Sequence, residues 1–280
     1  MAAQGQSGFV SAGDAAAYDD NSEIGTTGLS VDAPGDSPYI TTAGGTTVPW
    51  SGSFGTPVNV NVTAERAWGW DYLWAPIAPL LGLTLTQSAE AFVAGGGGGY
   101  SNVEQMPSYQ YGVPGTHFFS AVQYLTPTNI QNVGGVNEPT AWIFNPTPSV
   151  THGVGAGRAL PDVSADADPE TARLEWSPSF LDTRGPELQG GWGGTSFVAP
   201  QLNGVAAVID SALGHRVGFW NPSIYDFATQ HNSPFNSLNT SGTTNDNIFF
   251  TGTPGTAFNA AVGLATPNIS QLAKDFRDNH

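Results

Sequence analysis

The apolar positions near the start of the chain predict two short buried strands. The segment 7–14, SGFVSAGD, has the pattern of a short strand that ends in a Gly-Asp turn. The segment 37–48, SPYITTAGGTTV, predicts a second strand that runs into a Gly-Gly turn. Ligands gather at the carboxyl ends of strands in open α/β sheets, so Asp14, at the end of the first strand, is a candidate site residue.

Regular patterning returns in the second half of the chain. The segment 158–169, RALPDVSADADP, predicts a strand and loop, and the apolar spacing of the next segment predicts a buried helix from about Ser196 to about Gly214. Pro200 falls in the first turn or just beyond it, where a missing backbone donor is tolerated. Between Pro49 and about Val150 the pattern weakens into sequence rich in aromatic residues, Gly and Pro, which predicts extended surface loops, some of them lining a cleft. We expect a single α/β unit.

Composition narrows the classes of function. The 280 residues include 7 basic and 23 acidic side chains, a net charge of −16, which argues against a nucleic-acid partner. A chain with so few cations loses few salt bridges when its carboxylates are protonated, which suits an acidic environment, although the acidity also serves plain solubility. The absence of cysteine excludes disulfides and thiolate zinc sites. No apolar run has the length of a membrane span, and the start of the chain lacks the pattern of a signal peptide.

The strongest chemical signal is the octet 193–200, GGTSFVAP. A serine at the start of a helix, after a glycine-rich turn, has an exposed hydroxyl, and the nearby N–H groups and helix dipole stabilise developing negative charge. An isolated serine at this place is more often an ordinary helix cap. The complete octet resembles the nucleophile motif that subtilisins and sedolisins share.

The group that activates Ser196 separates those two families. A subtilisin-like enzyme needs an Asp and then a His upstream of the serine. The candidates are His117 and His152, and neither lies in a Gly-flanked histidine motif. Asp14 offers a carboxyl group where subtilisins place an amide, and it stabilises an oxyanion only when it is protonated. This predicts catalysis in acid, whereas Asp14 as a turn cap is the plain alternative.

Further segments, in the right order along the chain, resemble the sedolisin family of serine-carboxyl peptidases. They are SPY with GGT (37–46), GGGYS with PSYQ (97–110), RALPDVSADADP (158–169) and GFWNPSIY (218–225). The resemblance implies an α/β fold with a subtilisin-like, doubly wound, mostly parallel sheet and helices on both faces. It also implies that residues 1–280 form the C-terminal portion of the catalytic domain, without its N-terminal part and with a diverged, loop-rich region at about 50–150.

The same resemblance assigns catalytic roles to Ser196 as the nucleophile and Asp14 as the oxyanion-binding acid. The family activates its serine with a Glu and an Asp on one helix upstream of the oxyanion Asp. Only thirteen residues precede Asp14, and Glu65 and Glu104 lie downstream, so neither fits that order. We expect the pair to come from an upstream segment or a second chain. The expected activity is therefore an acid endopeptidase acting on peptides or proteins outside the cell, and the alternative is a non-catalytic peptide-binding or structural remnant.

The resemblance also implies a calcium site near the C-terminus. Its matching positions are Asn247, Ile248, Gly255, Ala257 and Asn259. Calcium prefers oxygen ligands with carboxylates among them, and both carboxylate positions carry Asn here. The backbone carbonyls of Ile248, Gly255 and Ala257 remain as ligands, with the adjacent Asp246 as a substitute. The sequence leaves two readings open: a weakened calcium site, or a metal-free loop held by amide hydrogen bonds. The carboxylates of Asp162, Asp166 and Asp168 are interpreted as structural, with Asp166 and Asp168 as candidates for shaping a substrate pocket.

Overall fold

The computed structural model describes residues 1–19, 28–54, 58–133, 136–171, 173–180 and 187–279. The strands in these ranges are β1 (Phe9–Ser11), β2 (Thr41–Thr47), β3 (Trp50–Phe54), β4 (Val58–Val62), β5 (Arg66–Ala67), β6 (Gly99–Tyr100), β7 (Phe118–Val122), β8 (Leu125–Val133), β9 (Val136–Phe144), β10 (Val150–Val154), β11 (Ala159–Leu160), β12 (Val163–Asp166), β13 (Leu174–Trp176), β14 (Leu188–Gly190), β15 (Phe235–Asn236), β16 (Phe250–Thr251) and β17 (Thr266–Pro267). The helices are α1 (Asp71–Leu81), α2 (Leu85–Ala91), α3 (Thr195–Leu213), α4 (Asn221–Ala228) and α5 (Ile269–Asp278).

A small parallel sheet organises the molecule. Strands β1, β2 and β12 pair in that order, all parallel, and β5 adds an antiparallel strand beside β2. Every residue of β2 is buried, as expected for the middle strand of a covered parallel sheet. The predicted strands before Asp14 and after Ser37 are therefore confirmed, and Asp14 follows the carboxyl end of β1. The predicted Gly-Gly turn is wrong, because Gly44 and Gly45 lie within β2.

Helix α3 packs against β1, β2 and β12. Its buried side chains recur every three or four residues, the spacing of one helix face, and they are Thr195, Val198, Ala199, Leu202, Ala206 and Ile209. The helix begins after Gly194 and ends at Gly214, which adopts the left-handed conformation common at helix ends. The predicted helix is confirmed at both ends.

The region 50–150 differs from its sequence-based prediction. It contains helices α1 and α2, the hairpins β3–β4 and β8–β9, and strand β7 of a three-stranded antiparallel sheet with β10 and β16. Pro76 and Pro79 lie inside α1. Because proline usually interrupts a helix, they give this segment the sequence pattern of a loop. The aromatic residues of the region form part of the core: Trp74 makes edge contacts with Tyr124 and Phe144.

The structure agrees with the predicted α/β fold. The parallel strands and α3 agree with it, and most of the other described sheets are short antiparallel pairs. The doubly wound arrangement with helices on both faces stays a prediction. Among the described residues, no helix combines the length and apolar character needed to cross a bilayer.

A buried ionic network lies at the amino end of β2, the opposite end from Asp14. The Arg158 and Asp162 side chains form an ion pair of 2.6 Å and are fully buried. Asp162 also accepts hydrogen bonds from Thr42 N (2.7 Å), Asn221 Nδ2 (3.1 Å) and Tyr225 Oη (2.9 Å). Three separate sequence motifs thus meet in one polar cluster, which confirms the structural interpretation of Asp162.

Candidate active site

The start of α3 is built on two glycines that permit very close packing. Gly194 has φ of 92°, a conformation that disfavours residues with a Cβ, and its N–H bonds to Ala167 O at 2.6 Å. A Cβ on Gly194 would lie 2.6 Å from Asp14 Oδ2, and one on Gly193 would lie 2.4 Å from Ala167 O. Glycine at both positions lets the loop after β12 and the end of β1 approach the helix.

Asp14 lies directly at this helix start. Its Oδ1 accepts hydrogen bonds from Thr195 N at 2.7 Å and from Thr195 Oγ1 at 2.9 Å. Thr195 Oγ1 also lies 3.0 Å from Gly13 O and accepts a hydrogen bond from Gly13 N at 3.2 Å. The fully buried Thr195 therefore joins the tip of β1 to the residue immediately before Ser196.

Ser196 is the second residue of α3 and is exposed to solvent. The neighbouring N–H groups are engaged, Thr195 N by Asp14 and Phe197 N by Gly194 O at 3.0 Å. In the described part of the chain the Ser196 N–H has no hydrogen-bond partner, as expected for an orphan donor of the first helical turn. An exposed hydroxyl and an open N–H on one residue suit attack on a carbonyl and stabilisation of the resulting oxyanion.

The two oxygens of Asp14 have different surroundings. Oδ1 is occupied by two donors from Thr195, whereas the described residues supply no hydrogen-bond partner to Oδ2. A proton on the carboxyl group is therefore favoured on Oδ2, since a protonated Oδ1 would lose its role as a double acceptor. Asp32 is a close acidic neighbour: burial raises the pKa of Asp32, and the charges of Asp14 and Asp36 raise it further.

The glycine run 95–99 supports the backbone of Asp14. Gly95 N donates to Asp14 O at 3.1 Å, and Gly97 N donates to Gly13 O at 2.8 Å. The run is buried, and a Cβ on Gly97 would lie 1.9 Å from Ala12 O. Sequence reasoning placed this run in a surface loop. A run of five glycines is a signal for close backbone packing as well as for a loop, and only the tertiary structure distinguishes the two.

An aromatic and cationic group lies beside Ser196. The Trp192 ring stacks on Phe180 with a centroid distance of 5.5 Å and also contacts Phe197. The Arg173 guanidinium lies 5.4 Å from the Phe197 ring centroid and 3.7 Å from the carboxylate of Asp166. Sequence reasoning did not single out these aromatic side chains, because nothing in their local pattern distinguishes them from core residues.

Asp166 and Asp168 line the loop that leads from β12 toward Gly193. Burial raises the pKa of Asp166 to about 6, with Asp168 and Glu65 adding to the effect against Arg173. Asp168 is fully buried and accepts hydrogen bonds from Tyr72 Oη (2.8 Å), Thr47 Oγ1 (2.8 Å) and Trp70 Nε1 (3.1 Å). These contacts join α1 to the sheet, so Asp168 has a structural role, and its contribution to a substrate pocket stays a prediction.

Glu65 and the two histidines, His117 and His152, make contacts away from Ser196. Glu65 Oε1 accepts a hydrogen bond from Thr46 Oγ1 at 2.8 Å. The His152 ring nitrogen Nδ1 lies 3.1 Å from Oγ of the buried Ser120, on the sheet formed by β7, β10 and β16. The His117 ring packs edge-on against Phe118. These contacts give no support to a subtilisin-like histidine base.

At the implied calcium positions, both asparagine side chains have hydrogen-bond partners within the protein. Asn247 Oδ1 accepts Phe250 N at 2.9 Å, and Asn259 Oδ1 accepts Ala261 N at 2.9 Å and Val262 N at 3.0 Å. Both amide oxygens thus accept backbone hydrogen bonds, and a calcium site at these positions stays a prediction. The Ile248 side chain is buried, Ala257 is half-buried and Gly255 is exposed. Within the described ranges, no three His, Cys, Asp or Glu side chains are grouped in a way that holds a metal ion.

The chain is similar in sequence to two known proteins. No protein-family model matches the chain. Kumamolisin of Bacillus sp. (strain MN-32) is 38% identical over 81 residues, which is 29% of this chain and 13% of kumamolisin. Sedolisin of Pseudomonas sp. (strain 101) is 26% identical over 281 aligned residues, which is 99% of this chain and 36% of sedolisin.

The chain is also similar to a solved structure in its backbone fold. Pseudomonas sedolisin, a serine-carboxyl proteinase complexed with two molecules of pseudo-iodotyrostatin, matches with a TM-score of 0.58 and 25% identity, over 99% of this chain and 57% of that chain. The present chain therefore spans about a third of the sedolisin sequence and somewhat more than half of the solved chain. Nearly the whole chain thus matches sedolisin in both sequence and backbone, and the two relatives together support membership of the sedolisin family of serine-carboxyl peptidases.

Proposed function

We propose that this chain supplies the nucleophile and the oxyanion-binding groups of a serine-carboxyl endopeptidase that works in acid. The observation that carries the proposal is the pair of hydrogen bonds from Thr195 to Asp14 Oδ1, of 2.7 and 2.9 Å. They bring the carboxyl group at the tip of β1 to the residue before Ser196, although 181 positions separate the two in sequence. The Asp14 carboxyl group thus lies at the start of α3, beside the residue that precedes Ser196.

In the proposed reaction, Ser196 Oγ attacks the scissile carbonyl of a peptide. The carbonyl oxygen becomes negative and accepts hydrogen bonds from Ser196 N–H and from a protonated Asp14 through Oδ2. An ionised Asp14 would repel this oxygen, which restricts the reaction to acid. The proton from Ser196 Oγ passes to a Glu/Asp pair that an upstream segment or a second chain contributes, and without that pair the serine is a weak nucleophile.

The composition fits an enzyme of acidic surroundings outside the cell. With a net charge of −16 and only 7 basic side chains, the chain relies little on surface ion pairs that acid would remove. The proposed substrate is an extended peptide or an unfolded protein segment bound along the edge beside Ser196. The aromatic group of Phe180, Trp192 and Phe197 supplies an apolar wall there.

A second candidate is a non-catalytic module that binds peptides without cleaving them. The contacts of Asp14 with Thr195 favour it, because a carboxylate accepting the first N–H groups of a helix is also an ordinary helix cap. In this alternative a peptide binds beside Ser196 and is not cleaved, and Ser196 forms no covalent bond to it.

A peptide aldehyde labelled with 13C at the carbonyl distinguishes the two functions. Addition of Ser196 Oγ to the aldehyde needs the oxyanion-binding groups more than the base, so at about pH 4 we expect the NMR signal of a protein-bound hemiacetal carbon, distinct from the signals of the free aldehyde and its hydrate. Ser196→Ala must abolish that signal. Binding that leaves the aldehyde carbon unchanged in both proteins would contradict the peptidase and favour the binding module.

Cleavage assays provide an independent check. We expect the purified chain alone to cleave a peptide mixture no faster than its Ser196→Ala variant near pH 4, because the hydroxyl lacks an activating base. Rapid cleavage by the chain alone, lost in Ser196→Ala, would show that the 280 residues contain the whole catalytic apparatus and would overturn the proposed need for an added Glu/Asp pair.

A further inference from the structure

Three buried asparagines hold the loops near the C-terminus. Asn239, Asn247 and Asn259 are 8%, 0% and 4% exposed. Each uses its side-chain oxygen as an acceptor and its NH2 group as a donor within the protein. Buried amides with both ends satisfied add to stability, whereas a group of the same shape without the NH2 would leave an acceptor unpaired.

Asn247 fastens its loop to the glycine run beside Asp14. Its Nδ2 donates to Gly96 O at 2.8 Å, while its Oδ1 accepts Phe250 N at 2.9 Å. A carboxylate at this position would direct a negative oxygen at the Gly96 carbonyl and would need a cation between the two. The Asn247 amide instead donates a hydrogen bond to the Gly96 carbonyl, so no cation is needed between the two groups.

Asn259, in the turn 259–263, also uses both its amide oxygen and its NH2 group in hydrogen bonds within the protein. Its Oδ1 accepts two backbone N–H groups, Ala261 N at 2.9 Å and Val262 N at 3.0 Å. Its Nδ2 donates to Oδ1 of Asn239, and Asn239 Nδ2 in turn donates to Thr256 O. The two amides therefore link the turn 259–263 to the segments at 239 and 256 through neutral groups alone.

Asp246, which precedes Asn247 in the sequence, also has hydrogen-bond partners for its carboxylate. Asp246 is fully buried, its Oδ1 accepts Ile248 N at 2.9 Å, and its Oδ2 lies 3.4 Å from Tyr124 Oη. Its backbone carbonyl accepts Arg66 Nη2 at 2.9 Å, and that guanidinium also pairs with Asp71. The positive charge next to Asp246 is thus already supplied by an arginine of the chain.

We propose that this region is held in place without calcium, with the NH2 groups of Asn247 and Asn259 taking the position-fixing role that a cation has between oxygen ligands. The proposal does not depend on peptidase activity. It concerns only how residues 239–263 are fixed against Gly96 and against one another.

Thermal unfolding tests the proposal on the unmodified chain. At about pH 5 we expect the unfolding midpoint in about 5 mM calcium to equal that in excess EDTA within about 1 °C. A site with a Kd below about 0.1 mM would raise the midpoint by several degrees under these conditions. A saturable rise of that size, confirmed by equilibrium dialysis with radioactive calcium, would overturn the proposal.

Two isosteric variants test the role of the NH2 groups. At about pH 7.5, Asn247→Asp and Asn259→Asp each remove one donor and bury a charge, so in EDTA we expect the midpoint to fall by about 6 °C or more relative to the unmodified chain at the same pH. Asn268→Asp is the matched control, because Asn268 is exposed and caps α5 through its oxygen, which an aspartate also provides. An unchanged midpoint in Asn247→Asp would refute the proposed role. If that variant does not fold, the calcium measurement on the unmodified chain still decides.

Discussion

Thr195 shows how one side chain positions a catalytic candidate. Its hydroxyl lies 2.9 Å from Asp14 Oδ1 and 3.0 Å from Gly13 O, and accepts Gly13 N, so it connects the helix start to the tip of β1 in three ways. Because Thr195 is fully buried, no water replaces the hydroxyl if it is lost. Thr195 therefore determines both where Asp14 lies and which of its oxygens remains open.

Removing that hydroxyl gives a prediction at the residue scale. Thr195→Val keeps the shape of the side chain but leaves Gly13 N unpaired, so we expect the free energy of unfolding to fall by about 1–3 kcal/mol in urea denaturation. The tetrahedral adduct with the labelled aldehyde should also weaken, because Asp14 is no longer held. Thr195→Ser retains the hydroxyl and serves as the control. Equal stability and equal adduct formation in all three proteins would contradict the role of Thr195.

At the scale of elements, the ion pair of Arg158 and Asp162 connects the amino end of β2 to α4. Asp162 receives donors from Thr42, Asn221 and Tyr225, and burial raises the pKa of this carboxyl in spite of the arginine. Arg158 in addition donates to Ile40 O at 3.0 Å and to Gly35 O. Three of the segments that resemble the sedolisin family, at 37–46, 158–169 and 218–225, thus supply members of one buried network.

Breaking this network tests its structural importance. Asp162→Asn leaves the Arg158 charge buried without its counter-ion, and we expect a loss of about 3–5 kcal/mol in the free energy of unfolding. The exposed pair of Arg277 and Asp278, whose side chains are 61% and 51% exposed, offers a matched control. Asp278→Asn should change stability by less than about 0.5 kcal/mol. A small effect at position 162 would mean that the network has little energetic weight.

The charges of the whole molecule favour stability in mild acid. Burial raises the pKa of Asp71 and of Asp246, two largely buried carboxyls beside Arg66, and raises that of Asp166 to about 6. A carboxyl whose folded-state pKa exceeds its unfolded value binds its proton more tightly in the folded state. Its stabilising effect is therefore complete below about pH 4 and is lost as the pH rises through the folded-state pKa.

Stability measured against pH checks this balance. We expect the free energy of unfolding in urea to be higher at pH 5 than at pH 7.5, with about 1 kcal/mol of the difference due to Asp166 after allowance for the exposed quarter of its side chain. Asp166→Asn should reduce the difference by that amount. Stability that increases from pH 5 to pH 7.5 would contradict the assigned direction of these pKa shifts.

The sequence by itself determined the features that depend on neighbouring residues. The strand before Asp14, the helix from Thr195 to Leu213 and the glycine turn before Ser196 follow from local apolar spacing and turn chemistry, and the order of the motifs indicated the family. Helix α1 was missed because its prolines contradict the local pattern, while its stability comes from packing of Leu73 and Trp74 into the core.

Only the tertiary structure decided which distant groups meet. The contact of Asp14 with Thr195 spans 181 positions, and that of Asn247 with Gly96 spans 151. Hydrogen bonds of this kind depend on the path of the whole chain, so no local pattern encodes the partner. The same dependence explains why the glycine run at 95–99 lies buried beside Asp14 instead of in a surface loop, and why an asparagine in place of an expected carboxylate finds a carbonyl to bind.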